Sequence, residues 1–472
     1  MQRSTRLVLT TAIMVATMIL GGAPAASAAG WTRVTEHPGL NLDNPSVLRT
    51  PDGVLHLAYE DRLGSLDNNF RYRALSPSGV WSAPISIADH WAGIAEGSLT
   101  MVGGKLVAIW GGQGSTDAAD ASSSGQAWSA TLTGGVWTRS STPSSTSSLP
   151  YASGQVSSAV DATGTPWFTW STTFGVGLHQ GLAAAGSENT NVGPATCCGY
   201  GTNLGRDAAT GDLYLVYYSN ADGATGYWTR RVAPTLGDPI KLVGSSSGDS
   251  ALSRTKRLAA APRTTGGVFT AYCAQYPSCT TLRVADVSGT SLALRLDGGA
   301  DAESVWTTAA PLGRLWLSWE RGGIVYATRS NKTLTKWGPI QRLGAPAGTQ
   351  SAWYTYGDAA PGPLDLFANV SGAGGGSTYS WHRRVLPALN VMTAKARISN
   401  RGMTIVKFRI SDAGDPVRGY VKFRGVARST TSQGWATFVV PPGARTGRFT
   451  ATGLATGFVP ASTHVTIYRP RR

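Results

Sequence analysis

Apolar and polar residues alternate along most of this chain in short runs, each opened by a glycine turn. Six runs share one form: a glycine, alternating apolar positions, then a large aromatic six places on. They are Gly53 to Tyr59, Gly104 to Trp110, Gly164 to Trp170, Gly211 to Tyr217, Gly266 to Tyr272 and Gly313 to Trp319. A seventh, Gly362 to Ala368, keeps the alternation and lacks the aromatic. Period-two alternation predicts strands with one buried face, and the leading glycine predicts a tight hairpin turn.

The glycines recur at intervals of 51, 60, 47, 55, 47 and 49 residues. A unit of about fifty residues holds about four strands, which is one propeller blade. One blade cannot bury both of its faces, so the units must stack, with the sixth-place aromatics packed between blades. The predicted fold class is all-β: a seven-bladed β-propeller, or six-bladed if the weak seventh unit is misread. Trp81 to Pro84, Trp137 to Arg139 and Trp337 to Pro339 read as fourth strands. The seventh unit, Gln350 to Leu386, runs out before a fourth strand. Trp31 to Val34 is predicted to supply it and close the ring, removing the exposed sheet edges.

The first segment reads as an export signal. Arg3 and Arg6 precede an apolar run from Leu7 to Leu20, and Ala26-Ser27-Ala28 offers a cleavage site. The run is too short for a permanent anchor. The expected domains are a signal peptide at 1–28, a propeller at 30–386 and a small β-sandwich at 388–472. The mature protein, starting near Ala29, is expected to be secreted and extracellular, a monomer without a transmembrane segment, either free or associated with the cell wall. Gly 59, Trp 16 and only 14% charged residues fit many turns and broad packing surfaces.

Export implies an oxidising compartment, in which Cys197, Cys198, Cys273 and Cys279 can pair. Four cysteines allow three connectivities. A Cys273–Cys279 bridge would staple a short loop, leaving Cys197 and Cys198 to form a strained vicinal bridge or stay free. No cysteine has metal-ligand spacing.

The segment Asn44 to Asp61 is similar to a blade of the sialidase-like, BNR-repeat propellers of secreted bacterial proteins. Of that family's Asp-box, Ser330 and Trp337 keep the first and last positions, while Lys332, Leu334 and Lys336 replace Asp, Gly and Thr. The resemblance implies a sugar site on one mouth of the ring, with no cofactor. Loops entering the first strands offer Asp43, Asn44, Glu96, Tyr200, Lys256, Arg257, Glu303 and Trp353, and loops leaving the second strands offer Glu60, Asp61, Glu320 and Arg321. A sialidase also needs three arginines. Arg257 and Arg321 supply two, and Asn44-Pro45 stands where an Arg-x-Pro is expected.

A glycosidase needs two carboxylates about 5 to 10 Å apart. Glu60, Glu96, Glu303 and Glu320 are the candidates, each of which also serves as an ordinary loop cap or ion-pair partner. A lyase needs a His or Tyr base, for which His179 is the candidate among six histidines. No Ser-His-Asp elbow, nucleotide-binding P-loop or HExxH is present.

Residues 388–472 resemble the bacterial Ig-like domains that end exported actinobacterial proteins. Phe408 to Arg424, Gln433 to Phe438 and Gly457 to Tyr468 carry that likeness. Short alternating strands with turns at Ala413-Gly414 and Pro442-Gly443 agree with a sandwich. From Pro387 onward there are 14 Lys and Arg against two acids, Asp412 and Asp415, which leaves 25 basic and 24 acidic residues to the central region. Lys395 and Arg397, Lys407 and Arg409, and Lys422 and Arg424 form three K-x-R triplets. Residues i and i+2 share a strand face, so adjacent strands would line one sheet face with six cations. Such a face would hold an anionic envelope polymer; the alternative is an ordinary solvated surface. The sequence favours a glycan- or surface-binding protein over an enzyme. The alternative is an exported carbohydrate-active enzyme, a sialidase-like glycoside hydrolase before a polysaccharide lyase.

Overall fold

In the computed structural model the described residues are 30–36, 45–64, 67–115, 126–144, 156–172, 175–183, 190–193, 201–219, 225–245, 258–273, 279, 281–288, 291–297, 302, 304–346, 348–372 and 378–470. Among them, seven antiparallel blades of four strands form a β-propeller, followed by a two-sheet β-sandwich. Blades I and II span 46–102 and 85–139, and blades III (157–191), IV (202–241), V (261–297), VI (304–344) and VII (351–385 with 32–33) are separate four-stranded sheets. Blades I and II share one strand, Ile85–Val102, which pairs first with Asp67–Leu75 as an outer strand and then with Lys105–Ser115 as an inner one.

The ring closes as the alternation predicts. Thr32–Arg33 pairs with Thr378–Val385, with Thr32 opposite His382 and Arg33 opposite Trp381. The Val34 amide adds a bond to the Ser380 carbonyl at 2.8 Å. Blade VII is thus built from both ends of the propeller segment.

The sixth-place aromatics Tyr59, Trp110, Trp170, Tyr217, Tyr272 and Trp319 are all buried. Several pack in a core shared with the preceding blade: Tyr59 with Tyr356 and Phe367 of blade VII, Trp110 with Phe70, Trp170 with Ile109, and Trp319 with Phe269. Blade VII has only Ala368 at this place. Trp31, fully buried, enters that same core beside Trp316 and Ala327 of blade VI. The aromatic missing from the seventh repeat is therefore supplied by the closing segment.

Two tryptophan motifs lie elsewhere than expected. Trp81 makes an isolated bridge to Leu75 and Trp337 to Ser330, while the outer strands start later, at Ile85 and Gln341. Only Trp137 lies within its fourth strand, Val136–Arg139. The segment from Ser330 to Trp337 folds into a turn. Asn331 Oδ1 accepts the amides of Thr335 and Lys336, and Leu334 takes the left-handed φ of 53°.

The sandwich core holds Phe408, Phe423 and Phe438, with ring centroids 4.9 to 5.6 Å apart. One sheet contains Asn390–Thr393, Thr404–Asp412, Asp415–Pro416 and Trp435–Val440. The other contains Arg397–Ser399, Tyr420–Phe423, Val426–Ser429, Gly447–Leu454 and Ala461–Tyr468. The K-x-R triplets are consequently split. Lys407 and Arg409 lie in the first sheet, and Arg397 and Lys422 in the second. Lys395 precedes its strand, and Arg424 sits in a turn at φ 50°. The expected single six-cation face does not exist, because the strands Arg397–Ser399 and Tyr420–Phe423 pair in one sheet and Thr404–Asp412 in the other.

The sandwich is docked on blade VI. Arg314 reaches Asp412 at 3.0 Å and Asp415 at 2.5 Å, and Arg329 also pairs with Asp412. Asp415 accepts the Lys332 amide at 3.0 Å, and the Arg329 guanidinium lies 5.6 Å from the centre of the Phe458 ring.

Candidate functional site

The innermost strands of the blades surround an axial cavity of about 700 Å³. Each innermost strand has one edge without a strand partner in its own blade, and its amides need acceptors. Serines from the neighbouring blade supply several. Ser46 Oγ accepts the Leu99 amide at 2.9 Å, Ser98 Oγ that of Ser158 at 3.0 Å, Ser157 Oγ that of Leu204 at 3.2 Å, and Ser304 Oγ that of Thr355 at 2.9 Å. Asn203 Nδ2 donates to the Leu258 carbonyl at 2.6 Å. The inner wall therefore combines hydroxyl, amide and backbone groups, with Trp306 as an aromatic component.

Arg49 and Asp358 lie at one end of the cavity wall, where blades I and VII meet. Arg49 bridges Asp358 and Asp365 at 2.5 Å each and donates to the Gly53 carbonyl. His382 Nε2 lies 3.0 Å from Asp365. Burial pushes the Asp358 carboxyl above its ordinary value despite the arginine. Burial acts the same way on Asp365, but hydrogen bonding and charge from His382, with Arg49, outweigh it and hold that carboxyl low. One carboxylate is thus securely ionised, and the arginine is shared between two.

At the opposite ends of these strands stand several of the sequence-predicted residues. Asp43, Asn44, Tyr200, Lys256, Arg257 and Glu303 fall outside the described residues, as do Cys197 and Cys198. Glu96 and Trp353 have their backbone in Ile85–Val102 and Ser351–Asp358. Glu60 is half-buried inside the strand Leu55–Gly64, opposite Phe70, so it and Asp61 belong to the strand and not to a loop leaving it. Asp61 is buried, with the Arg71 guanidinium 3.7 Å away. Arg321 is exposed at a hairpin. Glu320 is 1% exposed, and its Oε1 accepts the Gly323 amide at 2.5 Å, capping its own turn. His179 is 1% exposed in a blade wall, its ring centre 4.7 Å from that of Phe168, so it packs rather than facing the cavity.

The Cys273–Cys279 disulfide is present. Among the described residues no cluster of three or more His, Cys, Asp or Glu has the placement to hold a metal, and no helix is long and apolar enough to cross a membrane.

No protein-family model matches the chain, and no curated protein matches it. Among solved structures, the lectin SapL1 in complex with alpha methyl fucoside is similar at 12% identity, covering 66% of this chain and 98% of that one, with a TM-score of 0.42. The polysaccharide lyase Uly1 is similar at 10% identity, 76% and 94% coverage and a TM-score of 0.44. The Trypanosoma rangeli sialidase is similar at 9% identity, 93% and 90% coverage and a TM-score of 0.40. Likenesses this distant carry nothing about ligand or chemistry.

Two features escape a reading of the sequence alone. Ser46, Ser98, Ser157 and Ser304 stand six to nine residues before the repeat glycines, a faint signal at variable spacing. Asp412 and Asp415 are the sole acids of a basic segment, and that isolation is the signal that they serve specific partners.

Proposed function

We propose that this chain is a secreted, non-catalytic carbohydrate-binding protein. Its propeller takes a glycan at the axial cavity, and its cationic sandwich retains it on anionic material of a cell envelope. The supporting observation is the cavity itself: about 700 Å³, walled by serine, threonine and asparagine side chains, backbone groups, apolar residues and one tryptophan, with Arg49, Arg206 and Asp358 as its charged members. A few placed polar groups beside an aromatic surface suit a hydroxyl-rich ligand. The near balance of 25 basic and 24 acidic residues in the central region favours an uncharged sugar over a polyanion. Turn-capping by Glu320 supports binding over hydrolysis, since a carboxylate already engaged by its own backbone is a poor general acid.

A glycan array probed with the mature chain tests the reading. The expected result is retention of a defined set of glycans with no sugar released from them. Release of sugar that is abolished by Glu60→Gln or Glu320→Gln would replace binding with hydrolysis.

A further inference from the structure

The two acids of the sandwich are spent on the propeller. Asp412 faces Arg314 and Arg329, and Asp415 faces Arg314 and the Lys332 amide. The segment has no third Asp or Glu in its sequence to set against its 14 Lys and Arg.

The outer surface of the first sheet is not an ordinary solvated face. Ile405 and Val439 are cross-strand neighbours, 55% and 52% exposed, and Met403 beside them is 74% exposed. One row further along the same strands, Lys407 lies opposite Thr437, and then Arg409 opposite Trp435. Residues 405, 407 and 409 all point outward, because Val406, Phe408 and Ile410 fill the core. An exposed apolar group with cations on its flank is the pattern of a surface that enters a lipid headgroup layer.

Other occupants fit less well. A second copy docking by two-fold symmetry would set Lys407 and Arg409 against their own equivalents. A soluble polyanion would use the cations and leave Ile405, Val439 and Met403 wet. We infer that the outer face of the sheet formed by Asn390–Thr393, Thr404–Asp412 and Trp435–Val440 docks on an anionic lipid surface. The inference rests on the envelope-retention reading and names its partner.

The test is cosedimentation of the full mature chain with phosphatidylglycerol/phosphatidylcholine vesicles, beside binding to soluble dextran sulfate. Vesicle binding is expected to need phosphatidylglycerol. Lys407→Gln with Arg409→Gln should weaken it on the order of thirtyfold, the effect of two basic groups near an anionic leaflet. Ile405→Ser with Val439→Ser should weaken vesicle binding at least as much and leave dextran sulfate binding unchanged. All four positions face outward, and a thermal melt checks that each variant is folded. Vesicle binding indifferent to Ile405→Ser with Val439→Ser overturns the inference, as does a dimer that the same pair dissolves. Binding of dextran sulfate without vesicle binding overturns the lipid assignment and leaves envelope retention standing. Binding of neither removes both.

Discussion

Arg49 shows how much one side chain can carry at the seam of a ring. It joins the first blade to the last through Asp358 and Asp365, and Asp365 in turn holds His382 opposite the closing strand. Breaking a buried pair leaves uncompensated charge, at a cost of about 3 to 5 kcal/mol. Arg49→Ala is therefore expected to lower unfolding stability by that amount in denaturant titration, and an unchanged midpoint would show the seam to be redundant. His56 offers a second residue-scale test. Burial holds its imidazole below the ordinary histidine value, between Thr50 at 2.9 Å and Tyr72 at 2.6 Å, with Arg49 and Asp52 near enough to act on its charge. The fold thus binds a proton here less readily than the unfolded chain. Its stability is full above the unfolded pKa of about 6.5 and falls as pH drops through that value toward the folded one. His56→Gln should flatten that part of the stability–pH curve, and an unaltered slope would exclude His56 as its source.

The closing segment matters most among the elements. Trp31 is wholly buried in the core between blades VI and VII, and Thr32–Arg33 completes the last sheet. Trp31→Ala is expected to cost about 3 to 5 kcal/mol, the range for truncating a buried tryptophan. A loss below about 1 kcal/mol, read by chemical denaturation, would mean the ring holds without its clasp. Period-two alternation makes the blades legible in the chain, because each strand buries one face at fixed spacing, and a unit without a fourth strand makes the closure legible. The serine contacts between inner strands are not legible, since a single hydroxyl at variable distance from the repeat glycine has no periodicity. The K-x-R triplets mislead for a related reason. Spacing within a strand fixes a side chain's face, but which sheet receives the strand depends on long-range pairing such as that of Thr404–Asp412 with Trp435–Val440.

Over the whole molecule, charge is divided between a nearly balanced ring and a cationic sandwich, and the two are locked by buried ion pairs. Removing Asp412 and Asp415 together strands Arg314 and Arg329. Asp412→Ala with Asp415→Ala is expected to separate one thermal transition into two and to speed proteolysis between Val385 and Asn390; a single unchanged transition would show that apolar contacts alone dock the sandwich. The proposed division of labour, a ring for sugar and a sandwich for negative charge, is tested most directly by measuring binding of an array-selected uncharged glycan in about 0.5 M NaCl, where exposed charges are screened within a few ångströms. The mature chain should keep its affinity there, and Thr308→Trp, which fills the cavity from its wall, should abolish it. Affinity that disappears with salt, or that survives Thr308→Trp, would contradict the account.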